Sequence, residues 1–205
     1  MKQKPMIAFF GIDGSGKTTL IEETRKKFEN SGEKVKIVYM GLGSEHNIPL
    51  SKEIMKLSSR IRYGKKGLKK WDIQKFRKYN YRQRGFLWVL GQYLEFWARY
   101  KKAKKQSKEH VILFDRFFYD GLILGSKGTF NFFKHFTPRI SKSFLIKAPA
   151  KIIFSRKNEA GIKDIENYYN RAERLISFFS INVISNTKSI KKVVDEIWGN
   201  INDKK

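Results

Sequence analysis

The stretch Met6-Ile7-Ala8-Phe9-Phe10-Gly11-Ile12-Asp13-Gly14-Ser15-Gly16-Lys17-Thr18-Thr19 decides how the rest of the chain is read. Pro5 to Phe10 is a compact apolar run that stops at a glycine, which suits a strand buried on both faces. From Lys17 to Glu29, Leu20, Ile21, Thr24 and Phe28 recur at helical spacing, and Gly32 closes the segment. Between them, Gly11 to Thr18 fits the pattern G-x-x-x-x-G-K-[ST]. A chance match in a chain of this length is on the order of 1 %, and the strand-to-helix context lowers it further. Glycines let consecutive backbone N–H groups turn inward around phosphate oxygens, and the helix start adds its positive dipole end. The nucleotide-binding set is therefore Gly11, Asp13, Gly14, Ser15, Gly16, Lys17, Thr18 and Thr19. Within it, Lys17 is suited to bridge the β- and γ-phosphates of a nucleoside triphosphate, and the Thr18 hydroxyl to ligate Mg²⁺.

Reading outward, Val35 to Met40 is a second strand, followed by the loop Gly41-Leu42-Gly43-Ser44. Leu50 to Arg62 and Trp71 to Arg84 read as helices around a basic break, Gly64-Lys65-Lys66-Gly67. Phe86 to Tyr100 is the most apolar helix, with Leu87, Leu90, Leu94 and Trp97 on one face; Gln92 and Glu95 argue for a core helix. His110 to Phe114, Ser143 to Ile146 and Ile181 to Ser185 are short strands. Lys151 to Arg156 and Ile190 to Ile201 are helical. Strands separated by helices predict parallel βαβ units and an open α/β sheet.

The run Val111-Ile112-Leu113-Phe114-Asp115 delivers a carboxylate at the C-terminal end of a strand, the edge where an open parallel sheet binds its ligand. Asp115 is thus placed to hold Mg²⁺ through water, or to accept a proton from an attacking hydroxyl.

Composition narrows the function classes. The 205 residues carry 44 Lys plus Arg against 19 Asp plus Glu, a net charge of +25. An apolar fraction of 40 %, with 15 % aromatic residues, excludes a disordered basic tail. No stretch reaches the length of a transmembrane helix. The N-terminal lysines and apolar run lack a small-residue cleavage site, so no signal peptide is expected. The absence of cysteine excludes disulfides, thiolate metal sites and cysteine nucleophiles, and fits a cytoplasmic protein. Between Lys52 and Lys108 there are 19 Lys or Arg against Glu53, Asp72 and Glu95, so this segment holds +16 of the total. Tyr63, Trp71, Phe76, Tyr79 and Tyr81 alternate with those bases. The pattern reads either as a surface for a polyanion or an anionic membrane, or as solvated faces of amphipathic helices.

These motifs resemble the thymidylate kinase group of P-loop kinases. The resemblance is specific at Gly11 to Thr19 and at Asp115-Arg116-Phe117, and weaker at two later segments. Those are Arg156 to Glu166, which resembles the family's lid, and Val183-Ile184-Ser185-Asn186-Thr187, which resembles its last strand and adenine-side loop. The resemblance implies a three-layer P-loop fold with a five-stranded parallel sheet in the order 2-3-1-4-5. It implies one domain over 1–205, with a basic helical acceptor-side region at 45–108 and a short lid at 155–170. It further implies ATP, Mg²⁺ held by Thr18 and Asp115, and transfer of the γ-phosphoryl to an acceptor. By position, Asp13 would contact an acceptor sugar hydroxyl and Arg116 would grip the acceptor phosphate. The catalytic set is then Lys17, Asp115, Arg116 and Arg156. Arg156, with Lys157 and Lys163, is the candidate source of the cation that neutralises the transferred phosphoryl.

Departures from the family pattern matter as much. Phe10 stands where the family usually has Glu, Gly41-Leu42-Gly43-Ser44 replaces an Arg-Glu-Pro-Gly-Gly-like loop, and Phe117 to Gly121 lacks the serine and glutamine expected near a thymine base. The ATP-handling part is kept and the base-reading part is altered. Two acceptors follow: first a nucleoside monophosphate resembling dTMP, and second a sugar, glycolipid or polysaccharide precursor. If Asp120 and Asp115 both point into the acceptor pocket, a hydroxyl acceptor is favoured; a phosphate acceptor asks for bases such as Arg82 and Arg84. A nucleic-acid-binding switch, the third class, lacks any recognised motif, so nucleic acid is not an expected partner. A homodimer through Phe86 to Tyr100, or burial of that helix in the chain's own core, are both compatible with its pattern.

Overall fold

The computed structural model describes residues 3–41, 48–63, 85–157 and 160–203, and places the apolar run before the phosphate loop in the middle of a sheet. The strands are β1 (Met6–Phe10), β2 (Val35–Tyr39), β3 (Val111–Asp115), β4 (Lys142–Lys147) and β5 (Asn182–Ser185). Every pairing is parallel, as the alternation of strands and helices predicts, and the order is β2-β3-β1-β4-β5, as the family resemblance implies. The helices are α1 (Lys17–Asn30), α2 (Pro49–Tyr63), α3 (Phe86–Gln106), α4 (Phe118–Leu124), α5 (Lys127–Phe133), α6 (Ala150–Arg156), α7 (Ile162–Phe179) and α8 (Ile190–Asn202).

β1 is apolar at every position because both of its faces are covered. Ile7 and Phe9 meet Val111, Leu113, Phe144 and Ile146 on one face, under Leu20, Ile21 and Phe28 of α1 and Val193 and Ile197 of α8. Ala8 and Phe10 join Ile112, Phe114 and Leu145 on the other, under Tyr93 and Phe96 of α3 and Ile165, Ala172 and Leu175 of α7. Alternation along a single five-residue strand thus builds both interfaces of a three-layer sandwich. All five strands end on the same side, which brings the loops after β1, β3, β4 and β5 to one edge.

The structure corrects several boundaries. On α3 the deeply buried face is Val89, Tyr93, Phe96 and Tyr100, whereas Leu87, Leu90, Leu94 and Trp97 are only half-buried. The reason is that α3 is clasped on two sides, by the sheet and by α2. A Cβ at Gly91 would lie 2.8 Å from Met55 Cγ and 3.0 Å from the Ser51 carbonyl oxygen. The helices α4 and α5 were not anticipated, and α7 runs well beyond the segment read as lid. The expected helix Trp71–Arg84, the break at 64–67, most of the loop after β2, and Arg82 and Arg84 lie outside the described residues. Among the described residues, no helix is long and apolar enough to cross a membrane.

Candidate active site

The loop between β1 and α1 is shaped by three glycines with positive φ, Gly11, Gly14 and Gly16. Gly11 has φ +144° and Gly16 has φ +93°. A Cβ at Gly11 would lie 2.6 Å from the Ile146 carbonyl oxygen on β4, and one at Gly16 would collide with Nδ2 of Asn186. At Gly11 other residue types are therefore excluded by space as well as by backbone conformation, whereas at Gly16 a Cβ would displace the Asn186 side chain. Asn186, just past β5, donates from Nδ2 to the Ser15 carbonyl at 2.8 Å, while its own N–H donates to the Lys147 carbonyl at 2.7 Å. It ties the loop to the ends of β4 and β5.

Lys17 opens α1 and turns back under the loop. Its Nζ donates to the Ile12 carbonyl at 2.8 Å and lies 3.6 Å from Asp13 Oδ1. Burial lowers its pKa from 10.5 to about 8, with the Arg116 charge adding to the fall and Asp13 opposing it. Thr18 and Thr19 stand exposed in the first turn of α1. The Ser15 hydroxyl oxygen is buried and has no hydrogen-bond partner among the described residues.

From the other side of the cleft, β3 ends at Asp115 and the chain turns sharply. Arg116 is a non-glycine residue at φ +69°, fixed by its N–H donating to the Phe9 carbonyl at 2.8 Å, while Met40 N–H donates to the Asp115 carbonyl at 2.8 Å. A left-handed arginine costs roughly 1–2 kcal/mol, and such strain collects where a side chain must be aimed. Here it aims the guanidinium back at the loop, where Arg116 Nη2 donates to Asp13 Oδ1. Arg116 Nη1 lies 3.7 Å from Asp120 Oδ2 on α4, and Asp120 Oδ1 accepts a 2.8 Å hydrogen bond from the Tyr168 hydroxyl of α7.

The electrostatics follow from this grouping. Burial works to raise the Asp13 carboxyl, but Arg116, Lys17 and Lys157 together hold it below the usual carboxylate value. Burial raises Asp115 and is only partly offset by Lys17 and Arg116. Asp120 is raised for the same reason, with Arg116 and the Tyr168 hydrogen bond opposing the rise.

The structure brings Lys17, Asp13, Asp115 and Arg116 into one charge cluster. Arg156, at the end of α6, reaches the loop through Nη1 and the Gly14 carbonyl at 3.4 Å. Lys157 also borders the loop, since a Cβ at Gly14 would lie 3.6 Å from its Cβ. Lys163 stands exposed in the first turn of α7. Asp120 is buried, with its Oδ2 facing Arg116 Nη1. Phe117, Phe118 and Tyr119 are core residues, packed on Phe114, Phe96 and Phe10 at ring distances of 5.2, 5.3 and 4.9 Å.

Sequence reasoning missed Tyr168 as a partner of Asp120, and missed Asn186 as the anchor of the loop. The segment around Asn186 was readable as a strand end, but nothing local to it points to Ser15, 171 residues away.

The residues present suit a triphosphate and a divalent cation. The loop offers backbone N–H groups, an ammonium and the buried Ser15 hydroxyl, while Thr18 and Asp115 are hard oxygen donors of the kind Mg²⁺ shares with phosphate oxygens. No protein-family model matches the chain, and no curated protein matches it in sequence. Among solved structures, the thymidylate kinase of Candida albicans, described for the origin of its broad substrate specificity and a novel structural element, is similar with a TM-score of 0.63. The match covers 97 % of this chain and 91 % of that one at 14 % identity. At that identity the likeness establishes the fold, a thymidylate-kinase-like α/β fold with a 2-3-1-4-5 sheet.

Proposed function

We propose that this chain is a P-loop phosphotransferase that moves the γ-phosphoryl group of ATP, with Mg²⁺, to a small acceptor of the nucleoside monophosphate type, resembling dTMP. The observation that carries the reading is the convergence of Lys17, Asp13 and Arg116 at the C-terminal edge of a parallel sheet, beside a glycine loop that opens a helix. In the reaction an acceptor oxygen forms a bond to the γ-phosphorus and the bond to the β-phosphate oxygen breaks, releasing ADP.

Each side chain has a task set by its position. The Gly11–Lys17 loop binds the phosphates through backbone N–H groups, and Lys17 supplies the charge that balances them. Thr18 and Asp115 would hold Mg²⁺, which neutralises phosphate charge when bound. Arg116 turns from Asp13 to the acceptor phosphate, and Asp13 accepts from a sugar hydroxyl. Arg156 reaches the loop at the Gly14 carbonyl and neutralises charge on the group in transfer.

A second reading, a sugar, glycolipid or polysaccharide-precursor acceptor, is favoured by Asp115. A carboxyl raised by burial is a better base for a hydroxyl than an ordinary aspartate. An ATP-consumption screen over nucleoside monophosphates, nucleosides and sugars separates the two. Turnover of dTMP supports the first, and turnover of a sugar without dTMP the second. Turnover that survives Lys17→Ala sinks both.

A further inference from the structure

Away from the site, the surface carries a cluster of phenyl rings that the phosphotransfer reading does not use. Phe130 and Phe133 of α5 point inward, whereas Phe132 and, in the short 3-10 turn Lys134–Phe136, Phe136 point outward. Phe132 is 48 % exposed, Phe136 53 %, and Phe86 at the start of α3 44 %. The three form one knob: Phe132 lies 5.3 Å from Phe86 and 5.2 Å from Phe136, and Phe86 rests on buried Phe133 at 5.2 Å. An exposed, contiguous aromatic surface on a rigid base marks an interaction site.

The segment that carries two of the three rings is cationic. From Gly121 to Ile140 the chain has three Lys or Arg (Lys127, Lys134 and Arg139) and no acid. Lys127, His135 and Arg139 are exposed, and Lys134 lies 5.0 Å from the Phe178 ring. The nearby acid on α7 is Glu173, five residues before Phe178 and so about 140° round the helix from it.

We propose that this knob seats the protein on an anionic bilayer surface, with the phenyl rings in the acyl boundary and the surrounding cations on lipid phosphates. Apolar rings inside a cationic rim fit the two layers of such a surface, headgroup and chain. A symmetric contact with a second copy would set one rim of Lys127, Lys134 and Arg139 against another, a like-charge arrangement. For nucleic acid the rings are poorly arranged: they pack edge to face on one another, Phe86 on Phe132 at 65° and Phe132 on Phe133 at 81°, rather than standing apart as platforms for bases.

The test uses the full chain and the charge-conserving variant Phe132→Ser/Phe136→Ser in vesicle co-sedimentation. The vesicles are phosphatidylcholine alone, or phosphatidylcholine mixed with phosphatidylglycerol. The wild-type chain is expected to partition onto the mixed vesicles, and the variant about tenfold or more weakly, with an unchanged melting temperature. Equal partitioning of the two proteins overturns the proposal, because net charge alone then explains binding. So does failure of the wild type to bind. So, too, does a wild-type dimer in analytical ultracentrifugation that the variant loses, or RNA binding that the variant loses while vesicle binding persists. None of these outcomes depends on whether the chain transfers phosphate.

Discussion

Tyr168 of α7 donates a 2.8 Å hydrogen bond to Asp120, and Asp120 in turn faces Arg116 Nη1 at 3.7 Å, so α7 is tied to the arginine that holds Asp13 of the loop after β1. Three elements distant in sequence (the loop after β1, the turn after β3, and α7) are thereby held by one chain of polar contacts in an otherwise apolar layer. In such a setting each partner is expensive to remove, because what is left behind is buried.

Replacing Tyr168 by Phe keeps the ring packing and deletes only the donor. Asp120 then keeps its burial but loses the bond that opposes its rise in pKa. A hydrogen bond to a charged group is worth roughly 1.5–3 kcal/mol, so a loss of that size is expected in chemical denaturation at neutral pH. An unchanged midpoint would show that the bond does not form in solution.

Lys17 makes the site pH-dependent in a defined window. Its folded pKa of about 8 lies below the ordinary 10.5, so between those values the unfolded chain holds a proton that the folded chain has shed. Stability is therefore expected to rise with pH across that window through this group. ATP affinity is expected to move the other way, falling as pH passes 8 and Lys17 loses its charge. Calorimetric titration of ATP from pH 7 to 9.5, beside Lys17→Met, separates the contribution. A wild-type affinity that stays flat, or a fall of equal size in Lys17→Met, would falsify this assignment.

What was legible in the sequence was what is local. The strand, glycine loop and helix from Met6 to Asn30 carry their own signals, as does the carboxylate at the end of β3, and parallel topology follows from alternating strands and helices. The ion pair of Asp13 with Arg116 spans 103 residues. Each of the two was read toward a different part of the acceptor, because no local pattern says that they meet. α4 is seven residues with Gly121 inside it, and its helicity comes from packing Phe117, Phe118 and Tyr119 into the core rather than from propensity. α7 does carry a buried stripe, Ile165, Tyr168, Ala172 and Leu175, but the lid resemblance at Arg156 to Glu166 overlaps its first turn and drew the reading away from it.

Gly11 and Gly16 should differ in how their replacement fails. At Gly11 an alanine Cβ would press on the Ile146 carbonyl, which is backbone of a buried strand and has nowhere to go. At Gly16 it would meet the Asn186 side chain, which can rotate away at the loss of its 2.8 Å bond to Ser15. Both variants carry left-handed strain of about 1–2 kcal/mol, so Gly11→Ala is expected to lower the melting temperature more than Gly16→Ala. Gly16→Ala should instead show its larger effect on ATP affinity. The reverse order in a pair of melting curves would contradict the assigned contacts.

Glu95 and Arg99 of α3 are buried where the chain enters and leaves residues 42–47. Glu95 accepts from Ile48 N–H at 2.9 Å and from the Ser51 hydroxyl, Arg99 donates to the Gly41 carbonyl at 2.9 Å, and the two side chains lie 3.8 Å apart. Truncating one member of a buried pair typically costs 3–5 kcal/mol, whereas replacing both by apolar residues of similar volume is often close to neutral. Glu95→Leu alone is therefore expected to destabilise by about that amount, since it strands a backbone donor as well as a charge. Glu95→Leu/Arg99→Met should recover part of the loss and leave the unmet N–H of Ile48 as the remainder. A double-mutant cycle by urea denaturation measures the coupling. Strictly additive losses would mean that the two side chains hold the flanks of 42–47 independently rather than as a pair.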